Sequence, residues 1–111
     1  MANFTKFLCH GDGIDGSQVF DDDSIYNKTI TANGNAQIDT AQSVFGGASG
    51  LFDGNGDYLS SAHNSDWLLP ADFTVDFWLR FNALPAWGTT VHFIGHGGIS
   101  ASNKVGWSII W

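Results

Sequence analysis

The sequence predicts an all-β chain folded as a sandwich or barrel, and three observations carry that prediction. Residues 73–82 place Phe73, Val75, Phe77, Leu79 and Phe81 on one side of an extended chain. Thr74, Asp76, Trp78, Arg80 and Asn82 fall on the other, a period of two that a helix would scatter. Short apolar runs are separated by Gly, Asn and Asp clusters roughly every 8–12 residues, the spacing of strands and turns. All eleven acidic residues are Asp and none is Glu. Asp favours turns and Glu populates helices, so the bias argues against helix. The apolar face of 73–82 needs an opposing layer. No other segment has an amphipathic helical pattern, so that layer is expected to be a second sheet.

Taken in order, Lys6-Phe7-Leu8-Cys9-His10 reads as a first short strand, stopped by Gly11-Asp12-Gly13 and Asp15-Gly16. Gln18-Val19-Phe20 is a weaker segment running into Asp21-Asp22-Asp23. Thr29-Ile30-Thr31-Ala32 is a strand, Asn33-Gly34-Asn35 a turn, and Ala36 to Asp39 the returning partner. Ser49-Gly50-Leu51-Phe52 and Tyr58-Leu59-Ser60 flank Asp53-Gly54-Asn55-Gly56-Asp57 and read as a tight hairpin. Residues 64–69 form one helical turn, capped by Asn64 or Ser65 and ended by Pro70. Beyond the 73–82 strand come a loop at 83–88, a strand at Val91-His92-Phe93-Ile94 and a last strand at Gly106-Trp107-Ser108-Ile109-Ile110-Trp111. Nothing divides the chain, so residues 1–111 are expected to form a single domain.

Charge narrows the partners. With three Lys, one Arg and a net charge of −7, the chain is not expected to bind nucleic acid, which requires clustered cations. Anionic membranes are disfavoured for the same reason. No run of apolar residues has transmembrane length, and the first sixteen residues lack a signal-type apolar core. A mature protein, or one that reaches its destination without classical secretion, is the expectation. One cysteine, Cys9, makes no internal disulfide.

Asp53-x-Asn55-x-Asp57 is the strongest candidate site. Three oxygen-bearing side chains on alternate residues of a tight loop can converge on a hard cation such as calcium, and Gly54 and Gly56 let the backbone curl around it. Asp-Gly and Asn-Gly are equally the dipeptides of a plain turn, so both readings stand. Asp12, with Asp21, Asp22 and Asp23, is placed to add ligands if the first strand lies beside this loop. The histidines lack zinc-ligand spacing: His92 and His96 flank Gly95 and share no helical face. A ligand surface is expected at Trp78, Asp76 and Arg80 on the polar face of residues 73–82, and at Trp87 in the following loop. An aromatic face beside hydrogen-bonding groups suits a sugar ring. No nucleophile elbow is present, and Cys9 sits in an apolar strand without an evident base, so no catalytic activity is expected.

Three pieces in order, residues 33–38, 45–59 and 72–81, resemble a family. They read Asn33-Gly34-Asn35-Ala36-Gln37-Ile38, then Phe45-Gly46-Gly47-Ala48-Ser49-Gly50-Leu51-Phe52-Asp53-Gly54-Asn55-Gly56-Asp57-Tyr58-Leu59, then Asp72-Phe73-Thr74-Val75-Asp76-Phe77-Trp78-Leu79-Arg80-Phe81. Together they are similar to the laminin-G-like jelly-roll branch of the concanavalin A-like lectin/glucanase superfamily, found in bacterial surface proteins and phage virions. The resemblance implies an antiparallel, jelly-roll-like β-sandwich, often with a structural calcium near these regions. Glucanases of the superfamily place Glu on a concave strand, and this chain has none. Domains of the family run longer, so the chain corresponds to the N-terminal part of one. Residues 106–111 then form a strand that closes the sandwich or pairs with another chain, and an oligomer or partner chain is the expectation. The implied function is carbohydrate binding or adhesion on an extracellular or virion protein. The alternative is a structural virion protein, a capsid decoration or tail component, contacting protein with the same surfaces.

Overall fold

Glycine and asparagine place the bends, and what lies between them is extended chain. The structure is a computed structural model that describes residues 4–69, 71–97 and 107–110. Its regular elements are short antiparallel strands and a single 3₁₀ turn among the described residues, so the chain is β-rich and helix-poor. It divides into two units, Met1–Asn64 and Ser65–Trp111.

In the first unit, β1 (Thr31–Asn33) pairs with β4 (Tyr58–Ser60), and β2 (Gln37–Asp39) pairs with β3 (Ser49–Leu51). The ladders match Asn33 with Tyr58 and Gln37 with Leu51, so they follow one another along the same two stretches of chain. Between them, residues 34–36 on one stretch stand against residues 52–57 on the other. This corrects both expected hairpins: β1 does not pair with β2, nor β3 with β4. The physical reason is that Asn-Gly and Asp-Gly supply positive φ, which a bulge uses as readily as a reversal. Gly34 (φ 69), Gly54 (φ 82) and Gly56 (φ 78) are in that region. The carbonyls of Gly34 and Ala36, outside both ladders, accept from Gln18 Nε2 at 3.2 and 3.3 Å.

β2 is held on its other side as well. Gly16 N–H donates to Ile38 O (2.8 Å) and Ile38 N–H to Ser17 O (2.7 Å). Both backbone bonds of Ile38 are thus made on this edge, the β2–β3 pairing holds the other edge of the strand, and the Ile38 side chain is fully buried. Around it, Phe20 and Ala48 complete the core, with Cys9, Ile30, Ala32 and Leu59 packed against them. Small residues make this possible: a Cβ on Gly50 would lie 3.2 Å from the Phe20 ring and 3.2 Å from that of Phe52. The expected first strand, residues 6–10, is not part of a regular ladder. Leu8 instead exchanges bonds with the acidic run, its carbonyl accepting from Asp23 N–H (2.7 Å) and its own N–H donating to the Asp22 carboxylate (3.0 Å).

The second unit opens with a 3₁₀ turn, Ser65–Trp67, closed by Leu68 N–H to Ser65 O (3.1 Å). β5 (His92–Gly95) pairs antiparallel with β6 (Ser108–Ile110), with an irregularity between His92 and Ile94. Residues 108–110 of the expected last strand are paired within the chain along one edge, by β5; Gly106 and Trp111 lie outside the described residues. The strands approach closely at Gly95, where a Cβ would sit 3.0 Å from Trp107 O. Trp107 is half-buried, donates Nε1–H to Trp67 O (3.3 Å), and its ring lies 6.1 Å from that of Phe73.

Residues 73–82 are the main correction. They form no strand ladder. Their alternation still operates: Phe77 and Phe81 approach Phe93 at 6.2 and 5.9 Å between ring centres. Burial does not follow, since Phe73 is 55% exposed, Phe77 44% and Leu79 50%. A period of two specifies which residues share a face, but it does not supply the layer that covers it. None of the described residues in this unit is fully buried.

Candidate functional site

The six-residue side of the gap, 52–57, is organised by its carboxylates. Asp57 Oδ2 accepts from Asp53 N–H (2.9 Å) and Asp57 Oδ1 from Asn35 N–H (2.8 Å) on the opposite stretch. Asp53 Oδ1 accepts from Asn55 N–H (2.7 Å), the two-residue bridge typical of Asp in turns. With its amide oriented by these partners, Asn35 Nδ2 donates to Asp57 Oδ1 (2.6 Å), Asp57 Oδ2 (3.1 Å) and Asp53 Oδ2 (3.1 Å). The Asp53 backbone N–H is the main influence holding the Asp57 carboxyl below its ordinary value; partial desolvation opposes it, and the Asn35 N–H adds to the lowering. Gly34 is packed against this group, and a Cβ there would overlap the Asp57 carboxylate and come within 2.8 Å of Gly56 O.

Of the cation candidates, then, Asp53 and Asp57 are brought together. Asn55 joins them through its backbone N–H. Asp12 is placed elsewhere: its carboxylate lies against Gly46, and it lines a pocket of about 90 Å³ with His10, Gly11, Asp21 and Asp23. In that pocket His10 Nδ1 lies 2.7 Å from Asp23 Oδ2, an exposed pair. Among the described residues, no three His, Cys, Asp or Glu side chains converge as a metal-binding group.

Two residues matter that the pattern did not single out. Asn35 faces both carboxylates, and its signal was its place in Asn33-Gly34-Asn35, read as turn chemistry alone. Asp22, weighed as an outlying ligand, is buried and structural. Its Oδ1 accepts from Leu8 N–H and Ser24 N–H at 3.0 Å each, and its Oδ2 from Lys28 N–H at 2.8 Å. Desolvation pushes its carboxyl up, but the N–H groups of Lys28, Leu8 and Ser24 with the Ser24 side chain outweigh it, and the net displacement is downward. Burial likewise pushes the Cys9 thiol up, against the lowering influence of its hydrogen bond with the Gly11 backbone.

The aromatic candidates lie in the second unit. Trp87 is fully exposed at the tip of a turn closed by Thr89 N–H to Ala86 O (3.0 Å), with Gly88 at φ 81. Trp78 is 72% exposed, and Asp76 and Arg80 are exposed as well; the Arg80 guanidinium is hydrogen-bonded to Asn82 Oδ1. These groups present rings and hydrogen-bonding heads to solvent in one unit. Comparison with family models, with curated proteins and with solved structures found no match for the chain.

Proposed function

We propose that the chain is a non-catalytic carbohydrate-binding or adhesion module of an extracellular or virion protein, built as a laminin-G-like, jelly-roll-like β-sandwich. The supporting observation is Trp87: a large ring fully exposed on a turn tip, where it fills no core. Trp78 adds a second exposed ring, with Asp76 and Arg80 on the same stretch to hydrogen-bond hydroxyls. A flat apolar ring with polar neighbours is the surface a pyranose face stacks on. The acidic balance, −7 overall, favours a neutral partner over nucleic acid or an anionic membrane. A glycan array tests the reading: binding is expected for the parent chain and lost in Trp87→Ala with the fold retained. A signal unchanged by both Trp87→Ala and Trp78→Ala removes it.

Calcium belongs to the same proposal, as a structural ion at Asp53 and Asp57. The donor set fits a hard cation, since rotation of the Asn35 amide would add a third oxygen facing the two carboxylates. Bound there, the ion would offset the two like charges and brace the 52–57 loop. Added calcium should then raise the melting temperature and a chelator should reverse it. Indifference to both leaves the loop as the hydrogen-bonded bulge described above.

A second reading rests on a different observation. Phe73, Phe77 and Leu79 leave about half of their surfaces exposed. A structural virion component, a capsid decoration or tail protein, would bury such a face against protein. In that reading the chain is an oligomer, or pairs with a partner chain along β6. Sedimentation at low micromolar concentration separates the readings, a monomer that binds glycan favouring the first.

A further inference from the structure

The chain contains two Asn-Gly dipeptides, Asn33-Gly34 and Asn55-Gly56, and the fold treats them in opposite ways. Asn-Gly is the pair most open to spontaneous deamidation, because glycine has no Cβ to shield its backbone nitrogen from the preceding side chain. The reaction needs the asparagine amide free to rotate and the next backbone N–H accessible to solvent base.

Asn33 fails the first condition. Its Nδ2 donates to Thr31 O (3.2 Å), Tyr58 O (3.4 Å) and Ser60 Oγ (3.1 Å), and its backbone lies in the β1–β4 ladder opposite Tyr58. Gly34 after it is exposed but lies close to the Asp57 carboxylate and Gly56 O on one side, so the protection comes from the held Asn33 amide. Asn55 meets both. It is exposed on the 52–57 loop, where its backbone N–H donates to Asp53 Oδ1. Gly54 and Gly56 on either side have nothing within 4 Å of where a Cβ would stand.

We propose that Asn55 is a site of spontaneous deamidation and that Asn33 is protected from it by the fold. Solvent base removes the Gly56 backbone N–H proton, and that nitrogen bonds to Asn55 Cγ. The Cγ–Nδ2 bond breaks and the nitrogen leaves as ammonia, giving a five-membered succinimide. Water then opens either ring C–N bond, yielding aspartate or isoaspartate at position 55. The net change is asparagine plus water to aspartate plus ammonia, with no oxidation or reduction. The product sets a third carboxylate in the loop that already holds those of Asp53 and Asp57, and the isoaspartate form adds a methylene to its backbone. The loop therefore changes charge and length with age, independently of whether a cation binds there.

Peptide mapping by mass spectrometry of the intact chain, incubated at neutral and mildly alkaline pH, tests this. The amide-to-acid mass increase is expected at Asn55 at least about tenfold faster than at Asn33, with a rate that rises with pH. In denaturant the two rates should converge, because only the fold distinguishes them. Equal rates in the native chain overturn the proposal, as does a native Asn55 that stays intact while the denatured chain reacts. A difference that persists undiminished in denaturant assigns it to flanking sequence and overturns the protection argument.

Discussion

The two units bury their apolar residues very differently. Met1–Asn64 hides Phe20, Ala36, Ile38 and Ala48 almost completely, whereas none of the described residues of Ser65–Trp111 is hidden to that degree. Yet the longest apolar alternation in the sequence lies in the second unit. The first unit builds its core from scattered short pieces, with alanine and glycine letting one phenylalanine and one isoleucine meet. A core is thus made where backbones are held close on several sides, and alternation in one segment is no substitute for that. Ile38 shows the point, being bonded through its backbone to residues 16 and 17 and flanked by β3.

The largest expected effect tests that contrast directly. Ile38→Ala removes a fully buried side chain from the centre of the first unit and should cost about 4 kcal/mol in chemical denaturation. A cost near that of a surface change would mean the site collapses freely, and the first unit would then be no better packed than the second.

Next comes Asp22, which holds the first unit together by polar means. Asp22→Ala leaves the N–H groups of Leu8, Ser24 and Lys28 without their acceptor and should cost about 3 kcal/mol. Asp22→Asn keeps an acceptor oxygen and should cost about half as much. The same residue gives the first unit a pH dependence. Its folded carboxyl titrates below the unfolded value of about 3.9, so the unfolded chain binds more protons between the two values. The stabilisation is therefore complete above the unfolded value and is lost as pH falls through the folded one. Asp57 acts in the same direction. Acid titration of stability should flatten in Asp22→Asn, and an unchanged profile would assign the acid sensitivity elsewhere.

Local chemistry was legible in the sequence, and partnership was not. Six of the expected strands coincide with β1 to β6 to within a few residues, and residues 65–67 take the expected helical turn. Turn residues and β-branched runs act within a few positions, so they can be read one segment at a time. Which strand pairs with which depends on contacts between distant residues, and Asn33-Gly34 served a bulge as well as it would a hairpin. The site divides in the same way. Asp53 and Asp57 come together because their loop is short. Asn35 reaches them only because the register sets residues 34–36 against 52–57. Asp22 could not be identified as a buried hub, because three adjacent aspartates look alike until the fold turns one of them inward.

The smallest expected effects bear on the second unit and on the sandwich proposed for the chain. Phe77 keeps 44% of its surface exposed and meets Phe93 at 6.2 Å. Losing half of a buried phenylalanine's transfer free energy and one loose ring contact gives a cost of about 1 kcal/mol for Phe77→Ala. Thr74, on the opposite face of the same stretch and exposed, should cost less than about 0.5 kcal/mol on conversion to alanine. Their ratio tests facing, and the absolute value for Phe77 tests cover. A cost of about 3–5 kcal/mol for Phe77→Ala is what full burial gives, and it would mean that a second layer lies over the 73–81 face in solution, as a closed sandwich or an oligomer requires. A cost that rises with protein concentration would identify that layer as another copy of the chain. Equal costs for Phe77 and Thr74 would mean that the alternation no longer separates two faces, and the approach of Phe77 and Phe81 to Phe93 would then have no energetic consequence.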